Sequence, residues 1–223
     1  MRFSEDPNYV PALGFHWLTP YYDALVALST RERSFKQALI RQAGIAPGQQ
    51  VLDLACGTGT LAIWLKAAHP EAAVTGLDGD PQVLAIAARK ARQAKVAVRF
   101  EEGLADQLPY PQDCFDRVLS SLFFHHLRWV DKQRTARELF RVLKPGAQLH
   151  VADWGRAQNP LMRGLFLPIQ LLDGFQTTRD NVAGRLPELF AGAGFAQVSR
   201  RRRFSTVFGT LELLSAVKPA GCP

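Results

Sequence analysis

Beyond residue 50 the chain alternates between two hydrophobic rhythms. Val51, Leu52 and Leu54 make a short apolar run of strand character, and Leu61, Ile63, Trp64 and Leu65 follow at helical spacing. The alternation repeats, predicting strands over 51–54, 73–77, 96–101, 117–121 and 148–153 and helices over 61–68, 81–94 and 131–143. Asp80-Pro81 is a helix start, with Asp80 as N-cap and proline in the first turn. Lys144-Pro145-Gly146 ends the 131–143 helix. The order then changes. An apolar, helical insert is predicted over 161–172 and a helix over 181–193, stopped by Gly194. Strands over 197–207 and 211–218 have no room between them for a crossover helix, so they pair antiparallel. The expected fold is α/β, a mostly parallel seven-stranded sheet with a C-terminal antiparallel hairpin. Residues 1–45 form a helical N-terminal cap rich in aromatics (Tyr9, Phe15, Trp17, Tyr21, Tyr22), and 46–223 form the main domain, with the insert at about 156–180.

Composition narrows the setting. At 223 residues and 47% hydrophobic content the chain fills one sizeable core. MRFSEDPNYV lacks the apolar centre of a signal peptide, and no apolar run reaches membrane-span length. Cys56, Cys114 and Cys222 are far apart, with no metal-ligand spacing, so no metal is expected and a reducing, cytoplasmic setting is. The formal net charge of +7 admits nucleic acid or anionic lipid as partners, and equally an ordinary basic enzyme.

The candidate chemistry starts at VLDLACGTGT, 51–60, where strand, glycine turn and helix succeed one another. Backbone amides in such a turn approach a ligand closely. Asp78 closes the next apolar run, about where a carboxylate meets ribose hydroxyls in a nucleotide-binding βαβ unit. Gly57, Gly59 and Ala62 satisfy a dinucleotide fingerprint loosely, which keeps NAD open. Asp53, just before the turn, suits a pyrophosphate poorly. It suits a cofactor with an ammonium group and no phosphate, the make-up of S-adenosylmethionine.

Four blocks together resemble the class I S-adenosylmethionine-dependent methyltransferases, over roughly 51–219. VLDLACGTGT looks like the first cofactor motif, GLDGD (76–80) like the ribose-binding acidic end, GLADQLPYPQDCFDRVLSS (103–121) like the adenine-side loop and fourth strand, and ELFRVLKPGAQLHVADWG (138–155) like the following helix, turn and fifth strand. The last two blocks separate this reading from a nicotinamide enzyme. The resemblance implies a Rossmann-like doubly wound sheet and a cofactor site formed by Asp53, Gly57, Thr58, Gly59, Asp78, Gly79, Leu104, Ala105, Asp106 and Ser121, closed by Tyr22 with Tyr21 and His16. Ser121 matches a cofactor-proximal position of ubiquinone/menaquinone-type methyltransferases. Leu104 departs from the family, where Asp or Asn commonly contacts the adenine amino group; Asp106 is the substitute. Each residue also has a structural reading: turn glycines, a capping or loop-holding aspartate, a buried strand-end hydroxyl, cap packing.

His125 and His126 follow strand four, where ligands bind in open α/β sheets, and are the candidate general bases; capping or packing is the competing role. Methyl transfer needs positioning and water exclusion more than a catalytic triad. Strand four ends in Ser120-Ser121-Leu122-Phe123, without the Asn/Asp-Pro-Pro-Tyr motif of nucleobase and glutamine methyltransferases. The insert and aromatic cap suit a small apolar or aromatic acceptor, with peripheral membrane contact open. Arg200, Arg201, Arg202 and Arg203 alternate faces on a predicted strand, as a solvated edge that blocks aggregation or as a patch for RNA or anionic lipid. The remaining alternative is a non-catalytic relative that only binds the cofactor.

Overall fold

The computed structural model describes residues 31–221. In chain order its elements are α1 (Glu32–Ala43), β1 (Gln50–Leu54), α2 (Thr60–Ala68), β2 (Ala73–Asp78), α3 (Pro81–Gln93), β3 (Arg99–Glu102), β4 (Phe115–Ser121), a single turn of 3-10 helix (Phe124–His126), α4 (Trp129–Val142), β5 (Leu143–Trp154), α5 (Pro160–Leu165), α6 (Leu167–Asp173), α7 (Phe175–Val182), α8 (Leu186–Gly192), β6 (Ala196–Thr206) and β7 (Gly209–Val217). They build a seven-stranded sheet of order β3-β2-β1-β4-β5-β7-β6. β1 to β5 run parallel, while β7 is antiparallel to both β5 and β6. The expected mostly parallel sheet with a terminal antiparallel hairpin is therefore observed.

The sheet is covered on both faces, which is why its central strands read as continuous apolar runs. Leu52, Leu54, Val118, Leu149 and Val151 pack with Ala136 and Leu139 of α4 and Leu189 and Phe190 of α8. The neighbouring residues Val51, Leu119 and Ala152 pack on the other face with Phe35 and Leu39 of α1 and Leu61 and Leu65 of α2. A strand's period of two sends successive side chains to opposite layers. Asp53, two residues from Val51, accordingly falls on the α1/α2 side.

Several boundaries differ from the expectations. β3 starts at Arg99 rather than at 96, because its ladder with β2 begins at Thr75↔Arg99. Lys144, Pro145 and Gly146 end α4 as expected, but lie within β5 as an irregularity: β4 pairs Phe115↔Leu143 and then Arg117↔Gln148. The single insert helix is split into α5 and α6, with Pro168 in the first turn of α6, since proline has no N–H for a helix interior. The helix over 181–193 is likewise broken. α7 ends at Val182, Gly184 takes a left-handed φ of 76°, and α8 restarts with Pro187 in its first turn.

The arginine run also departs from strict alternation. β6 carries a bulge between Arg200 and Arg202 in its pairing with β7. The extra residue returns Arg200 and Arg203 to the same face. Both reach the buried Glu212, at 3.1 and 2.9 Å, while Arg201 donates to Ser215 Oγ at 2.8 Å and Arg202 lies over the Phe204 ring. Most of the 1–45 cap, including His16, Tyr21 and Tyr22, lies outside the described residues.

Candidate functional site

The sheet's strand order reverses between β1 and β4, and the carboxyl ends of the strands around that point carry the predicted residues. Open α/β sheets bind ligands in this crevice. After β1 the chain turns through Ala55, whose φ is 53°, and the Cys56 amide donates to the Leu77 carbonyl at 3.0 Å, tying the loop to β2. The Gly57 amide donates to Asp78 Oδ2 at 2.8 Å, and the Asp80 amide to Asp78 Oδ1 at 3.0 Å. Asp78 thus braces the glycine turn, while Asp80 caps α3 through the Gln82 amide at 2.8 Å. Burial raises the Asp78 pKa, against the pull of the Gly57 and Asp80 amides. Gly79 stands between the two aspartates, half-buried.

The two glycines of the turn do different things. Gly57, with φ 53°, has open space where a Cβ would stand, so its side of the loop is free for a ligand. Gly59, with φ 78°, is the N-cap of α2, and a Cβ there would stand 2.7 Å from Ala87 Cβ and 3.0 Å from Phe100. The close approach at Gly59 is made by α3 and β3. Thr58 is buried, and Lys90 Nζ donates to its hydroxyl at 3.1 Å and to Thr60 Oγ1 at 2.8 Å.

Beneath the turn lies Asp53, 1% exposed. Among the described residues neither of its carboxylate oxygens has a partner in good hydrogen-bond geometry. Burial pushes its pKa up to about 7, offset in part by the Lys36 ammonium and a weak contact with the Ala62 amide. A buried carboxylate without partners is costly, and functional sites are where such a cost recurs.

The loop after β3 closes this end. The Gly103 amide donates to the Asp78 carbonyl at 3.0 Å, and Leu104 bridges Gln107. Leu104, Ala105 and Asp106 are half-buried, with Ala105 packed on the α4-side core. Ser121 ends β4 half-buried opposite Ala152 of β5. The structure thus gathers Asp53, Gly57, Thr58, Asp78 and the 103–106 loop around the ends of β1 to β3.

His125 and His126 lie on the far side of β4, in a second polar cluster. His125 is buried, its Nδ1 2.7 Å from Asp153 Oδ1 and its Nε2 3.5 Å from Asp173 Oδ2. Asp153 also accepts from the amides of Phe123, Phe124 and Trp154 and from Asn181 Nδ2. With amide N–H groups already on that carboxylate, His125 Nδ1 carries a proton and donates to it, while Nε2 faces Asp173. His126 Nδ1 stands 3.9 Å from Asp173 Oδ1. Desolvation, then the nearby His125 and Lys132, hold the His126 pKa well below the usual histidine range. Lys132 Nζ donates to the Thr177 carbonyl at 2.6 Å and lies 3.8 Å from Asp180; burial lowers its pKa to about 8.

Asp153, Asp173, Lys132 and Asn181 escaped the sequence reading. Asp153 carried a usable signal, a carboxylate at a strand's carboxyl end. Asp173 and Asn181 carried none, because folding of the insert alone brings them to the sheet.

A family model described as methyltransferase domain matches residues 51–146. Demethylmenaquinone methyltransferases of Deinococcus radiodurans and Thermus thermophilus are 34% identical over 154 residues and 40% identical over 147 residues, covering 68% and 63% of this chain. The chain spans 63% and 64% of the lengths of those two relatives. An uncharacterised methyltransferase of Synechocystis sp. is 31% identical over 206 residues, 91% of this chain and 92% of that protein. Among solved structures, the YcgJ protein of Bacillus subtilis superposes with a TM-score of 0.70 at 18% identity, over 83% of this chain and 98% of that one.

Proposed function

The chain belongs to the methyltransferase family, and on that premise we propose that it transfers the methyl group of S-adenosylmethionine to a quinone-type small molecule. The observation that carries the cofactor half is the Asp78 carboxylate, held by the Gly57 amide at the end of β2, with Asp53, unpartnered among the described residues, below it. These residues fit the cofactor's parts. Asp78 keeps lone pairs for two ribose hydroxyls, the space at Gly57 admits the chain of the amino acid, and Asp53 offers a buried negative charge toward an ammonium. Leu104 and Ala105 give the base an apolar flank, and Asp106 a carboxylate for its amino group. Gly79 and Ser121 complete the proposed site; Tyr22, expected to close it, lies outside the described residues. When bound, the cofactor supplies a methyl group on a sulfonium, already activated for transfer.

The acceptor half is assigned to the His125, His126, Asp153 and Asp173 cluster, which would hold an acceptor oxygen and handle its proton. Demethylmenaquinone, in the names of two relatives, is of the quinone class. A cleft of about 470 Å³ in the insert, lined by Phe175, Val182, Gln170, Arg163 and Arg179, would take the acceptor's apolar part. Leu171, Leu172 and Phe175 are exposed, and the exposed Arg179 shares α7 with Phe175, an arrangement suited to peripheral contact with an anionic bilayer that carries such an acceptor. No described helix is long and apolar enough to cross a membrane. The free thiols Cys56 and Cys114 favour a cytoplasmic setting.

The test is calorimetric titration with S-adenosylmethionine, S-adenosylhomocysteine and NAD. Both sulfur cofactors are expected to bind, and Asp78→Ala to weaken them about 10- to 100-fold, the loss of hydrogen bonds to an ionised group. Binding of NAD alone would overturn the reading.

A further inference from the structure

We propose that His125, His126 and Asp173 bind a divalent transition-metal cation at the acceptor side of the site. One ring nitrogen from each histidine and one oxygen of Asp173 lie within 4.8 Å of one another. His125 Nε2 is 3.5 Å from Asp173 Oδ2, and His126 Nδ1 is 3.9 Å from Asp173 Oδ1. A cation at about 2.1 Å from each donor requires these atoms to draw together by about 1 Å. Asp173 and His126 are only half-buried and have that freedom; His125 is buried and fixed.

His125 Nδ1 faces Asp153 at 2.7 Å, and its Nε2 faces the Asp173 carboxylate. Lys132 is not part of the cluster, because its ammonium is engaged by the Thr177 carbonyl and Asp180. Metal-ligating histidines ordinarily donate their second N–H to a carboxylate, which is the His125–Asp153 arrangement. Two imidazoles and one carboxylate with open positions suit zinc, iron or nickel rather than magnesium or calcium. The open positions would take an oxygen of the acceptor and acidify it. That last point rests on the function proposed above; cation binding itself does not.

The experiment strips the full chain with a chelator and titrates it with cobalt(II) alone, reading the visible d–d absorption, with zinc(II) as competitor. One equivalent of cobalt should bind and be displaced by zinc. His126→Ala and Asp173→Asn should each weaken uptake by about tenfold or more, and His69→Ala should leave it unchanged. Thermal melts of the same proteins should show zinc stabilising the wild type and not those two variants. S-adenosylhomocysteine titration separates the readings: a failure there sinks the methyltransferase proposal and leaves the metal result standing. No stoichiometric cobalt uptake, or uptake indifferent to both substitutions, overturns the cation site.

Discussion

Asp53 is a residue whose cost to the fold is informative. Its pKa is raised from 3.8 to about 7 by burial. Between those values the folded chain holds a proton that the unfolded chain has released. Stability therefore falls as pH rises through that window and levels off above pH 7. A cofactor ammonium placed nearby reverses the preference and favours the ionised carboxylate. Binding of S-adenosylhomocysteine should then be about tenfold tighter at pH 8 than at pH 6, with a binding enthalpy that depends on the buffer's ionisation heat. Asp53→Asn should remove that pH dependence and raise stability above pH 7 in urea titrations. Affinity equal at the two pH values in the wild type would separate Asp53 from the ligand. Its neighbour Asp78 has the opposite character, a carboxylate with two amide partners.

Elements meet closely behind the glycine turn. α2 starts at Gly59, α3 brings Ala87 against it, and β3 adds Phe100. Gly59→Ala should destabilise by about 2–4 kcal/mol in urea denaturation, from a left-handed backbone and a Cβ with no room. Gly57→Ala meets only the backbone strain, so its stability loss should be smaller, about 1–2 kcal/mol. A ranking in the other order would reject the packing role assigned to Gly59. The same scale explains the broken helices. Local periodicity continued through 161–172 and 181–193, but Pro168, Gly184 and Pro187 each impose a backbone state that ends or restarts a helix. The α7–α8 break at Gly184 also accepts Arg200 Nη2 on its carbonyl at 2.6 Å, linking the insert's end to the sheet edge.

For the described residues as a whole, one end of the sheet holds the proposed sites and the insert presents exposed leucines. Leu171 and Leu172 are 73% and 76% exposed, and the chain carries a net charge of +7. Co-sedimentation with vesicles containing anionic lipid should retain the protein, less so as salt rises. Leu171→Ser with Leu172→Ser should reduce that retention several-fold while leaving S-adenosylhomocysteine affinity unchanged. Equal retention of this variant would remove the insert from any membrane role. The arginine edge carries less free charge than its sequence implies, since the β6 bulge sets two of its guanidinium groups on Glu212.

The sequence by itself determined the sheet, its parallel core and terminal hairpin, and the strand, glycine turn and helix at the end proposed for the cofactor. Those features rest on short-range signals: apolar period, a glycine turn after a strand, a carboxylate closing the next strand, an Asp-Pro helix start. Gly57, Asp78 and Asp80 were legible because their partners are neighbours in one βαβ unit. Only the tertiary structure decided the rest. It showed Gly59 packing against α3, Asp53 without a hydrogen-bond partner among the described residues, and Arg200 beside Arg203 across a bulge. It also joined His125 from the β4 end to Asp153 of β5 and Asp173 of the insert. Apart from the arginine pair, those contacts join residues far apart in the chain, and all of them depend on helix breaks, packing or register shifts that local patterning does not encode.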